Sequence, residues 1–229
     1  MAKKTNWILL TLSATLALSA CTRGGVSVEK TQLTEDTKFF EVEKPSVTVT
    51  EDKNFKAYTT WFFSCVPEVK TSVVKSEDTP GASTVTLRVD SIDFQIGCPV
   101  KIWISKEAKP EVREHEKGHV EICKRLYDRS EAVVREIGEA LVGQTYYGMG
   151  ADLAEAERTT RARILGDLSV RFRERTPAQC EEVSSRFDRL TEKHMGDKEW
   201  TVDKLVKQSF ADTVDNAVVT IKGGKESGK

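Results

Sequence analysis

The chain has 229 residues, with 35 Lys and Arg against 36 Asp and Glu, for a formal charge of −1. Near-neutrality without a sustained basic block excludes the electrostatic footprint of a nucleic-acid-binding protein. The length suits one domain with its own core, and no internal repeat is visible.

Residues 1–20 read as a targeting segment. Lys3 and Lys4 precede an apolar run from Trp7 to Ala20 that is too short for a comfortable membrane span. Its ending, Leu18-Ser19-Ala20-Cys21, resembles the lipobox of bacterial lipoproteins. The resemblance implies cleavage before Cys21 and lipidation there, anchoring the protein to a membrane of the cell envelope. An ordinary secretory signal with an incidental cysteine is the competing reading. Thr22 stands where an inner-membrane retention signal would have aspartate, which favours the periplasmic face of the outer membrane if the source has two membranes. Residues 21–37 are polar and read as a tether, 38–221 as the folded domain, and 222–229 as a disordered tail.

From Phe39 to Ser105 the pattern is that of strands. Val47 and Val49 alternate with polar neighbours, as do Val85, Leu87 and Val89 before Asp90-Ser91. Ile92, Phe94 and Ile96 follow, then Val100, Ile102 and Ile104. Ala57 to Ser64 is a further candidate whose aromatics, Tyr58, Trp61, Phe62 and Phe63, read as core. Residues 79–83 form a loop. An antiparallel sheet with one covered face is expected.

Pro110 suits the first turn of a helix and Gly143 the position just past its end. Between them His119, Ile122, Leu126, Val133, Ile137 and Leu141 recur at helical spacing. This helix carries His115-Glu116-Lys117-Gly118-His119, an H-E-x-x-H motif. Four residues turn a helix through about 400° and raise it about 6 Å, so both imidazoles project from one face and can share a divalent ion, usually zinc. Glu116 lies beside the metal but outside its ligand set, as the general base for a metal-activated water. The motif arises by chance in roughly one chain of this size in several hundred, yet two of only three histidines fall in it. Gly118 costs about 1 kcal/mol against alanine in a helix interior, which a close approach by a strand or a substrate backbone would explain.

A Gly/Tyr-rich connection spans residues 143–150. A second helix is read from Leu153, Ile164, Leu168 and Phe172. A third opens with Thr176 as N-cap and Pro177 at N1 and closes at Gly196, and residues 200–211 offer a short fourth. Strands followed by three or four helices argue an α+β fold. Besides Cys21, four cysteines remain; in an exported protein they imply disulfides, for which we favour Cys65 with Cys98 and Cys123 with Cys180.

A catalytic zinc needs a third protein ligand. The metzincin continuation would require glycine and histidine at Ile122 and Arg125 and is excluded. A gluzincin-type carboxylate leaves Glu155, Glu157 and Glu181 unranked. The remaining histidine is His194. Strands leading into H-E-x-x-H, with Phe187-Asp188-x-x-Thr191 and His194 near Gly196, resemble a family of uncharacterised bacterial proteins described as predicted secreted zinc-dependent proteases. His194 stands one residue later than that pattern has it.

The resemblance implies a zincin-like metalloprotease with the H-E-x-x-H helix at its core, acting on peptide or protein substrates. Zn2+ would be held by His115, His119 and His194, with Glu116 catalytic. If Cys123 pairs with Cys180, helix rise places Asp188 about 12 Å along the third helix, level with His115, and His194 about 21 Å along, beyond it. Geometry thus favours Asp188; we take His194, because imidazole is the commoner zinc ligand and a helix end is easily redirected. Two alternatives stand beside the protease: a zinc peptidase of cell-wall cross-links, and a non-catalytic envelope lipoprotein with a structural or vestigial metal site.

Overall fold

The computed structural model describes residues 25–41, 57–194, 197 and 199–211. Cys21, the strand expected at Val47 and Val49, and the segments 1–20 and 222–229 lie outside them. The elements are β1 (Val26–Lys30), β2 (Thr34–Phe40), β3 (Ala57–Trp61), β4 (Ser64–Thr79), β5 (Ala82–Gly97), β6 (Pro99–Ser105), α1 (Pro110–Leu141), β7 (Thr145–Gly150), α2 (Leu153–Arg175) and α3 (Pro177–Lys193). Residues 202–211 form a further helical segment. The fold is α+β.

Two sheets form, one ordered β1-β5-β4 with β7 also on β5, the other β2-β6-β3. Both are mixed and not antiparallel as expected, because β1 runs parallel to β5 and β2 parallel to β6. The parallel strands come mostly from the segment read as a tether. Val26 and Val28 are buried there, opposite Ile92 and Phe94 of β5. Their Val-Ser-Val-Glu alternation is a strand signal too short to stand out from polar surroundings. Ordered structure therefore reaches back at least to Val26.

The arms of the β4–β5 hairpin are 16 residues each, turning at Gly81, whose φ is +83°. What reads as a break at Asp90-Ser91 is a β-bulge inside one strand. Lys70 faces Ser91 while Thr71 faces Val89, so one residue of β5 is left over and the alternation changes parity. Val85 and Leu87 before it pack on Ala156 of α2, and Ile92, Phe94 and Ile96 after it join the main core with α1. The stretch expected as a Gly/Tyr-rich connection is β7, paired with Ser83–Arg88 of β5. A Cβ on Gly148 would overlap the Thr160 hydroxyl, so α2 lies directly on this strand.

Helix α1 has Pro110 in its first turn, and Gly143 follows two residues after its end with φ +86°. Its buried stripe includes His119, Ile122, Cys123, Leu126, Val134, Ile137 and Leu141. Helices α2 and α3 meet at a single residue, Thr176. Its side chain does not cap α3 as expected: the hydroxyl is buried, with no hydrogen-bond partner. Cys123 of α1 meets Cys180 near the start of α3, while His115 and His119 meet Asp188 further on. The two helices are therefore antiparallel.

Candidate metal centre

The four-residue spacing on α1 brings His115 Nε2 within 3.2 Å of His119 Nε2. Asp188 of α3 completes a triangle: its Oδ1 is 3.1 Å from the first nitrogen and 3.0 Å from the second. A tetrahedral ion bound at about 2.0–2.1 Å sets its ligand atoms about 3.3 Å apart. The three atoms therefore fit one face of such a tetrahedron with only slight expansion. Two imidazoles and a carboxylate are also a donor set that zinc accepts. Among the described residues this is the one cluster of three or more His, Cys, Asp or Glu side chains with metal-binding spacing.

Burial works against the Asp188 charge, but hydrogen bonds and electrostatic attraction from His115 and His119 outweigh it, holding the carboxyl well below the usual range. The His119 ring is buried, and its Nδ1 has no hydrogen-bond partner. All its polar contacts lie at Nε2, toward His115 and Asp188.

Aromatic rings hold the histidines in place. Phe187 is fully buried, stacked on His115 at 5.0 Å and edge-on to His119 at 5.2 Å. Trp61 of β3 stacks on His119 at 6.2 Å. Glu116 is buried beside them and accepts a 2.6 Å hydrogen bond at Oε2 from the Thr59 hydroxyl. Thr59 and Trp61 thus tie an edge strand to the motif helix, and neither was singled out from sequence as a site residue. The signal was there: Ala57, Thr59 and Trp61 alternate with exposed Tyr58 and Thr60, so they share the face turned to α1.

Gly118 answers to Phe187, neither a strand nor a substrate backbone. A Cβ at this position would overlap the ring at Cζ and stand 2.7 Å from Cε1. Gly118→Ala gains about 1 kcal/mol of helix propensity but drives α3 off α1, an overpacking that costs about 1–3 kcal/mol. The variant is expected to be destabilised in urea denaturation despite its better helix former. Unchanged or raised stability would mean that the ring moves aside freely.

His194 is not brought to this centre. It caps α3, its ring stacked on Trp200 at 4.0 Å and its Nδ1 3.8 Å from Asp197. The helix runs regularly to Lys193, so its end is not redirected toward α1, and Asp188, eight residues past Cys180, comes level with the histidines. The glutamates considered as ligands are engaged elsewhere or stand apart. Glu155 accepts from the Ala151 amide at the start of α2, Glu157 pairs with Arg161, and Glu181 is an exposed residue of α3.

All four described cysteines are free thiols, so neither expected bridge is closed. Cys123 Sγ and Cys180 Sγ are 3.6 Å apart, against about 2.05 Å for a disulfide. Cys65 lies opposite Ile96 on β5, whereas Cys98 follows the end of that strand pairing and is buried close to Cys180. Burial raises the Cys65 thiol to about 11 and, with the nearby Cys180, Cys98 to about 12. These are inert packing residues as they stand.

Compared with protein-family models, curated proteins and solved structures, the chain finds no match.

Proposed function

We propose that the chain is a zinc-dependent peptidase of the bacterial cell envelope, anchored by lipid at Cys21. The observation that carries this reading is the convergence of His115 Nε2, His119 Nε2 and Asp188 Oδ1 next to a buried glutamate of the same helix. These three residues would hold the ion. Zinc, when bound, polarises a carbonyl and makes water a stronger acid.

Glu116 supplies the base. The Thr59 hydroxyl engages Oε2, which fixes the carboxylate and leaves Oε1 to take a proton from water and pass it to the departing amine. Trp61 and Phe187 shield the histidine rings from solvent and hold their planes. Strand β3 pairs with β6 on one side, and no described strand pairs with its other edge. An extended peptide added to that edge would lie across Thr59, beside the base. We read α1, with its H-E-x-x-H motif and the β3 edge beside it, as the core of a zincin-like fold.

The purified protein should bind about one zinc per chain, removable by chelators, and cleave casein, unfolded envelope proteins or cell-wall peptides. Metal analysis and a peptide library read by mass spectrometry check both. Protein unable to take up zinc at neutral pH refutes the centre. Zinc-loaded protein inert on every substrate class favours a structural ion.

A further inference from the structure

The aromatics of the β3–β4 corner do not form a simple core. Phe63 is buried and Trp61 half-buried, but Phe62 is 68% exposed and Tyr58 43% exposed. Behind this corner lies a cavity of about 470 Å³, a size typical of ligand-binding clefts. Trp61, Phe63, Val66, Pro67, Leu168 and Phe172 wall it, joined by Arg173 and Glu181, which are exposed. Trp61 belongs to both places, since the ring that lines the cavity also stacks on His119. Trp61 is thus common to the cavity and the metal centre.

The run of β3 gives the cavity a polarity. Passing from Thr59 to Trp61, the strand goes from Glu116 to His119 and then into the cavity wall. A peptide paired antiparallel to the edge of β3 that no described strand occupies runs the other way, so residues beside Trp61 precede those beside Thr59. The base marks the bond to be cut. Thr59 and Trp61 are two positions apart, about 6.6 Å along a strand.

We propose that this cavity receives a large apolar side chain of the substrate, about two residues on the N-terminal side of the cleaved bond. The proposal rests on the peptidase reading above and adds the substrate class: extended peptides with Phe, Trp, Tyr or Leu at that place. The chemistry of the walls argues for it. They are mostly aromatic and aliphatic, and exposed Phe62 and Val66 extend the apolar lining outward, where an incoming side chain would cover them.

Two measurements on the full-length chain test this. In the first, wild type cleaves a peptide library, and kcat/KM is compared for peptides that differ only by Phe or Ala at the position in question. Phe is expected to be favoured about 10- to 100-fold, the span for fully burying one large apolar side chain. Val66→Arg puts a charge at the mouth from a position already 60% exposed. It should bring the kcat/KM ratio of the Phe peptide to the Ala peptide close to one while zinc content stays unchanged. A library with no upstream apolar preference, a preference on the other side of the bond, or one that survives in Val66→Arg overturns the proposal.

The second measurement is equilibrium binding of labelled Phe and Ala peptides to Glu116→Gln by fluorescence anisotropy, alone and combined with Val66→Arg. If wild type cleaves nothing, the peptidase reading falls, and binding decides the cavity separately. A Phe preference lost with Val66→Arg supports it as a peptide-binding cleft; equal binding of Phe and Ala peptides overturns it.

Discussion

Asp188→Ala is expected to lower zinc affinity by more than about 100-fold, beyond the 10- to 100-fold typical when only an outer partner of a ligand is lost. The reason lies in the triangle. Without the carboxylate, two imidazoles 3.2 Å apart remain on α1, and nothing else among the described residues offers a third donor within ligand distance. His194→Ala should leave zinc affinity unchanged and cost about 0.5–1.5 kcal/mol of stability, the worth of its stacking on Trp200. Metal competition titration gives the first number and chemical denaturation the second. Because Asp188 side-chain exposure is 54%, truncating it should hardly disturb the fold, so a loss of zinc would report on ligation. Unchanged affinity in Asp188→Ala, or the larger loss in His194→Ala, would reverse the assignment.

Glu116→Gln should keep zinc while lowering kcat by about 10² to 10⁴, the usual worth of a positioned base. The amide has the shape of the acid and can still accept from Thr59, so helix packing and the histidines are left in place. Thr59→Val provides the companion test. It frees the carboxylate without removing it, and a smaller loss of about tenfold follows from one charge-assisted hydrogen bond. Parallel measurement of zinc content and kcat separates base from ligand. A Glu116→Gln enzyme of wild-type activity would remove Glu116 from the chemistry.

What was legible in the sequence depended on how far local periodicity reaches. His115 and His119 lie on one helix, so the spacing alone predicts that they meet. Asp188 sits on another element, and its place follows only once Cys123 and Cys180 bring α3 antiparallel to α1. Simple helix rise already pointed to Asp188. The preference for His194 came from ligand frequency and required a bend that α3 does not have. Gly118 announced a close approach but not its author, since a phenylalanine 69 positions away carries no signal toward it. Val26 and Val28 were hidden because a two-residue alternation within a polar stretch differs little from chance. The Asp90-Ser91 parity change looked like a break because pattern reading has no place for an extra residue within a strand.

The early start of β1 would leave a lipid anchor at Cys21 only a short leash. Val26 is buried in the sheet and is only the fifth residue after Cys21. At about 3.6 Å per residue, a lipid at Cys21 would hold that strand within about 18 Å of the bilayer surface. A domain so moored would have a thin layer over the lipid as its working volume, and would meet what passes along or through that layer. Neutron reflectometry on supported bilayers would measure the stand-off, and a gap much wider than this reach would mean that the mooring lies elsewhere.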